Sequence, residues 1–259
     1  VPAPFLLALF MCLFSFTTPC LAARDNKVSV ILPFADNDHP PHYLVNDQGE
    51  ITGGIEADIL KAVFSDMAVE FSYIQLKRAA ILLQQERYHC ISPTPEELRG
   101  QAGYYESREF LSIYYNRVMV LASSPFSVNS LASLHDKRLL AFLGASKYLG
   151  DDYADLVKRN SRQYREFTHL SMAIPMLFLK RVDALVMDKN VFMYHANKQE
   201  YDVFHGKDKV LFYDFFPPSR FTLMCKNKAL IDDFDASMKK LRLSGELSKI
   251  IERNVNARR

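Results

Sequence analysis

The chain has 259 residues, 49% of them hydrophobic and 24% charged, with 32 basic against 30 acidic side chains and a formal net charge of +2. These values describe an ordinary globular protein and exclude disordered, collagen-like and coiled-coil chains; the near balance of charge supplies no overall field for nucleic acid or an acidic membrane. Glycine is scarce, 9 in all, roughly half the usual share, which argues against glycine-punctuated propellers and flexible linkers.

In chain order, residues 5–16 read FLLALFMCLFSF without a charge, and the first charged residue is Arg24. The run is shorter than the ~20 residues of a bilayer span and fits the ~7–15 residue core of a secretory leader. With Cys20 and Ala22 as small residues before a cut after Ala22, residues 1–22 are expected to be a signal peptide and the mature chain to be periplasmic. Next come a β-branched strand at 27–33, a polar turn at 46–49, and a helix at 55–67 whose Ile55, Ile59, Leu60, Val63, Phe64 and Met67 form one apolar stripe. A strand at 69–74, a helix at 79–85 and a short strand at 88–92 follow. Two buried strands, 117–122 and 138–143, flank a Ser-rich turn. Helices at 148–158 and 171–180, a strand at 182–187, a strand at 221–225 and an amphipathic terminal helix at 230–254, interrupted by Gly245, complete the series. Alternating strands and helices predict an α/β protein with largely parallel sheets covered by helices.

Catalytic signatures are few. No Gly-rich phosphate loop, HExxH helix, GxSxG elbow or CxxC pair occurs. His39, His42 and His89 with Asp36 or Asp38 could be imagined around a zinc ion, but Pro40 and Pro41 stiffen the segment against ligand spacing, and the expectation is no metal and no cofactor. After removal of the leader two cysteines remain, Cys90 and Cys225, which are either one disulfide or two buried thiols.

Six short patterns in order resemble the bacterial extracellular solute-binding proteins of family 3, the periplasmic amino-acid binders with type II topology. They are His39-Pro40-Pro41-His42-Tyr43 after the first strand; the turn from Gly49 through Gly53-Gly54-Ile55-Glu56-Ala57-Asp58 into the first helix; Ser92-Pro93-Thr94-Pro95-Glu96-Glu97-Leu98-Arg99; the segment from Ser130 through Gly144-Ala145-Ser146; Arg181-Val182-Asp183-Ala184-Leu185-Val186-Met187-Asp188; and Leu241 through Gly245-Glu246-Leu247. Gly54 stands where that family usually has an aromatic ring, and His39 and His42 are unusual where rings often sandwich the ligand.

The resemblance implies a two-lobed type II fold with two hinge strands: lobe 1 from 23–113 and 214–259, lobe 2 from 114–213. It also implies a Cys90–Cys225 bridge, because the returning strand lies beside the strand holding Cys90. The implied ligand set, in a cleft between the lobes, is Tyr43, Ser92, Thr94, Arg99, Ser146 and Asp188, with Arg99 or the neighbouring Glu97 at the carboxylate-reading position. Physically, a helix start at Gly144-Ala145-Ser146 and a guanidinium suit a carboxylate, and Asp188 on the other side suits an ammonium. Each residue also has a plainer reading: Arg99 and Arg78 as surface charges, Asp188 and Ser146 as helix caps. The implied role is capture of an amino acid or similar small polar solute by a monomer that closes on its hinge and hands it to an inner-membrane ABC permease or a receptor. The alternatives are a cyclohexadienyl-dehydratase-like enzyme, with Glu56 or Asp188 assisting proton removal, and a sensory binding module.

Overall fold

The computed structural model describes residues 27–34, 40–206 and 209–256. The expected leader at 1–22, together with Asp36, Asp38 and His39, lies outside the described residues.

The chain begins with β1 (Lys27–Phe34), a small hairpin of β2 (Leu44–Val45) and β3 (Ile51–Gly53), and α1 (Ile55–Val63). Then come β4 (Ala68–Gln75), α2 (Leu76–Gln84), the two-residue β5 (Cys90–Ile91) and a long β6 (Tyr105–Tyr114). At Tyr115 the chain crosses into a second unit built from β7 (Asn116–Leu121), β8 (Leu139–Phe142), α3 (Ala145–Tyr148), α4 (Asp151–Arg159), β9 (Tyr164–Phe167), α5 (Leu170–Phe178), β10 (Ala184–Asp188), α6 (Lys189–Lys198) and β11 (Val210–Tyr213). It returns through β12 (Ser219–Cys225) and ends in α7 (Lys228–Leu243) and α8 (Glu246–Val255). Gly245, at φ 77°, separates the last two helices, so the terminal helix expected from the sequence is two.

Two five-stranded sheets result, in the orders β4-β1-β5-β12-β6 and β11-β7-β10-β8-β9. Parallel pairing, expected for most of each sheet, holds on one side of each: β1 with β4 and β5, and β8 with β9 and β10. The strands that carry the chain between the units and back, β6, β7, β11 and β12, pair antiparallel.

Period-two alternation in β1 explains the layering. Val28, Val30 and Leu32 face a core shared with Ile55, Ile59, Leu60 and Val63 of α1. Ile31 faces the other way, onto Ala79, Ala80 and Leu83 of α2 and onto Ile91. Both faces are therefore covered by helices, and each fully buried Ile or Leu contributes about 1.5–3 kcal/mol. The second sheet repeats the device. Val118, Val120, Leu139, Ala141 and Val186 pack on Tyr153 and Leu156 of α4, while Met119, Leu140, Leu185 and Met187 pack on Ile174 and Phe192. That second face is continuous with the α1 side of the first core.

Two features tie distant parts of the chain. Cys90 and Cys225 are register partners in β5 and β12 and form a disulfide with Cα atoms 4.1 Å apart. The last turn of α8 is held on both sides: Arg253 and Asn254 bond Asp58 of α1 at 3.0 and 2.9 Å, and Asn197 of α6 donates to Val255 O at 3.3 Å.

Candidate functional site

The carboxyl ends of the parallel strands in both sheets carry most of the expected residues, the usual location of ligand sites in open α/β sheets. From the first unit, the segment with the cis Pro40–Pro41 peptide is pinned on the start of α1. Ile55 N donates to Pro41 O and Glu56 N to His42 O, both at 2.8 Å, which satisfies N–H groups that a helix start leaves without intrahelical partners. Gly54 permits this approach. Its φ is 110°, and a Cβ there would lie 2.4 Å from Tyr43 Cα and 2.7 Å from His42 O, so the glycine that departs from the family pattern has a steric reason.

His42 is thereby delivered into the interior, 1% exposed. Its ring stacks on Tyr114 with centroids 3.7 Å apart and planes 12° apart. Nε2 lies 3.3 Å from Asp188 Oδ1 and donates to it; Nδ1 is 3.8 Å from Glu56 Oε1 and has no hydrogen-bond partner. The Tyr114 hydroxyl donates to Glu56 Oε1 at 3.4 Å. Burial pushes the Glu56 carboxyl above its ordinary range, against the opposing pull of His42. Burial, then the neighbouring Glu56, pushes the Tyr114 phenol well up. The cluster joins the two units: His42 and Glu56 come from the first, Asp188 from the second, and Tyr114 from the strand that leads across.

Asp188 is buried and its carboxylate is fully engaged. Oδ1 accepts from Asn190 N at 2.8 Å and Val191 N at 3.0 Å, capping α6, and Oδ2 accepts from Tyr115 N at 2.6 Å. The cap reading of this residue is realised together with the His42 contact.

Arg99 does not meet Ser146 or Asp188. It is half-exposed and grips Glu106 of β6 with two bonds, Nε to Oε2 at 2.9 Å and a terminal nitrogen to Oε1 at 3.1 Å. Glu106 also accepts from Thr222 at 2.6 Å, and the Thr222 and Thr94 hydroxyls are 2.9 Å apart. Thr94 therefore belongs to a chain that ends on Arg99. Ser92 is buried beside the cis Ser92–Pro93 peptide and its Oγ has no partner. Tyr43 packs in the first core, edge-to-face with Tyr73 at 5.6 Å. Arg78 is exposed on α2.

Ser146 meets a carboxylate of the chain itself. Glu166 of β9 accepts from Gly144 N at 2.7 Å, Ser146 N at 3.0 Å, Ser146 Oγ at 2.8 Å and Tyr164 Oη at 2.7 Å. Partial burial pushes the Glu166 carboxyl up, but these bonds outweigh it and hold the group below its ordinary range.

Sequence reasoning did not assign Tyr114, Glu106 or Glu166 to this region. His42 was weighed around a metal and as an unusual residue at a ligand-sandwiching position of the resembled family, and the structure separates it from His89, which bonds Ser29. Among the described residues, no three His, Cys, Asp or Glu side chains are grouped to hold a metal ion.

The chain has the two-lobed α/β fold of periplasmic solute-binding proteins. No protein-family model matches it, and no curated protein matches it. Among solved structures it is similar to a probable amino-acid ABC transporter extracellular-binding protein of Bacillus subtilis, at TM-score 0.62 and 14% identity over 89% of this chain and 99% of that one. It is similar to the L-cystine solute receptor of Neisseria gonorrhoeae in its unliganded open conformation, at TM-score 0.64 and 17% identity over 90% and 94%. A third is an ancestral amino-acid-binding protein described as a precursor of cyclohexadienyl dehydratase, at TM-score 0.59 and 18% identity over 89% and 96%.

Proposed function

We propose that this chain is a divergent family 3 solute-binding protein of the periplasm, which captures an amino acid or similar small polar solute between its lobes. The observation that carries this reading is the buried polar cluster of His42, Glu56, Tyr114 and Asp188, contributed from both sides of the lobe boundary at the ends of the parallel strands. Ser92 and Thr94 on the lobe 1 side and Ser146 on the lobe 2 side complete the proposed lining. Lobe 1 is taken as 23–113 with 214–259 and lobe 2 as 114–213. Bending at the two crossings, near Tyr115 and at 214–218, opens and closes the cleft.

The chain acts as a monomer, exported by its N-terminal leader, and delivers its solute to an inner-membrane ABC permease or a receptor. The disulfide suits an oxidising compartment, and the names of the similar structures, which include a probable amino-acid ABC transporter extracellular-binding protein, point the same way. Thermal-shift screening of the purified protein against amino acids, their amides and small amines tests the reading: a reproducible rise in Tm with one of them is expected, and no rise with any refutes it.

A second reading is favoured by one observation. Glu56 is a buried carboxyl held toward its protonated form beside an imidazole and a phenol, the kind of environment that tunes an acid for proton transfer. An enzyme resembling cyclohexadienyl dehydratase would turn over prephenate or arogenate, and absence of product from either separates binding from catalysis.

A further inference from the structure

We propose that the solute of this chain carries no free carboxylate, being a small amine or amide, and that Glu166 is the specificity-determining residue that keeps carboxylates out. The inference rests on the solute-binding reading above and narrows its ligand class.

Three positions would read a zwitterionic amino acid, and each is already satisfied by the chain itself. The turn at Gly144 to Ser146 gives two backbone N–H groups and one hydroxyl to Glu166, whose carboxylate takes a fourth bond from Tyr164. Arg99 spends its fork on Glu106. Asp188, the expected partner of an ammonium, accepts from Tyr115 N, Asn190 N, Val191 N and His42. A second carboxylate at the Gly144 turn would compete with Glu166 for the same donors and sit against its like charge, where repulsion is strong once water is excluded. Glu166 thus fills, within the molecule, the position a ligand carboxylate would take.

What remains unpartnered suits a nitrogen donor. In the tautomer with its proton on Nε2, toward Asp188, His42 Nδ1 is an acceptor, and that atom is buried without a hydrogen-bond partner, 3.8 Å from Glu56 Oε1. Ser92 Oγ is in the same condition. Buried polar atoms are normally satisfied, so two at the lobe 1 strand ends mark positions for solute atoms. The acidic side chains nearby outnumber the basic: Glu106, Glu166 and Asp188 against Arg99. A cationic amine or a neutral amide fits that balance and an anion does not.

The test pairs each amino acid with its amide and its decarboxylated amine, lysine with cadaverine, arginine with agmatine, glycine with glycinamide, and measures binding by calorimetry to wild type, Glu166→Gln and Glu166→Ala. In wild type at least one amine or amide binds about 10-fold or more tighter than its carboxylate parent. In Glu166→Ala the parent gains about 10-fold and the preference narrows or reverses. Wild type binding an amino acid as tightly as its amine overturns the inference and leaves the solute-binding reading standing. No binding by any member to any form overturns both. The wild-type comparison needs no substitution, so a poorly folding Glu166→Ala does not rescue the proposal; Glu166→Gln, which keeps the volume and loses the charge, supplies the second variant.

Discussion

Replacing Cys90 and Cys225 together by alanine removes a cross-link whose partners are 135 residues apart in sequence. In the chain-entropy account, a closed loop of that length restricts the unfolded ensemble by about 5 kcal/mol at 25 °C. The native state loses little by comparison, since both side chains are small and fully buried in the first sheet. Unfolding entropy of about 2.1 cal/mol/K per residue over the roughly 220 described residues is near 0.5 kcal/mol/K, so the double variant melts about 10 °C below wild type. Scanning calorimetry of oxidised wild type and the variant reads the shift directly, with intact mass confirming that wild type is lighter by two hydrogens than its reduced form. A shift below about 3 °C would refute the argument, because removing a native disulfide typically costs about 2–5 kcal/mol, roughly 4–10 °C at this unfolding entropy. The disulfide also has a structural reason to matter: β5 is two residues long, and the cross-link fixes it to its antiparallel neighbour where few ladder bonds can.

Three further outcomes are expected. Glu56 has its folded-state pKa raised by burial, so the folded protein holds more protons than the unfolded one above the ordinary value near 4.5, and wild-type stability falls as pH rises through that window; Glu56→Gln therefore equals wild type near pH 4 and is the more stable at pH 8 in urea titrations, and a less stable variant at pH 8 contradicts this. His195 is buried with Nε2 unpartnered and its pKa is pushed down to about 4 by burial, then by Lys198. Its neutral form is favoured on folding, so up to about 3 kcal/mol is present above pH 6.5 and lost as pH falls toward 4, and His195→Gln flattens that acid limb, whereas an unchanged limb means another group sets it. Gly54→Ala brings a Cβ within 2.8 Å of three backbone atoms of His42 and Tyr43 and costs about 3 kcal/mol or more, while Gly245→Ala, with nothing within 4 Å, costs about 1 kcal/mol; equal losses in chemical denaturation would contradict the steric argument.

The elements visible in the sequence were those whose period was undisturbed. β1, α1, β4 and β10 carry unbroken apolar runs or stripes and were located within a few residues. β6 was missed because Glu106, Arg108 and Glu109 interrupt its alternation, and only the fold supplies their partners: Thr222 for Glu106, Asp235 for Arg108 and Arg242 for Glu109. α6 was missed, although its cap at Asp188 was considered, because its buried side includes the polar His195 beside Val191, Phe192, Met193 and Ala196, which blurs the apolar stripe. The site was legible as a set of strand ends and not as a set of contacts. Ser146 and Glu166 are twenty residues apart and meet because β8 and β9 pair in parallel with Ala141 opposite Glu166, a register no local pattern encodes. His42 read as a loop histidine, since its burial depends on Gly54 admitting the chain against α1.

The last turn of α8 has a practical consequence. Within four residues it bonds α1 of one lobe through Arg253 and Asn254, and α6 of the other through Val255 and Asn256. The end of α8 is thus a seam between the two sheets' helices. A substitution that labels Asn256 with a small dye would report on contacts from both α1 and α6, and a bulky label there would strain them. For handling the protein without disturbing that seam, the exposed positions Arg78 and Gln84 of α2 offer the safer points of attachment.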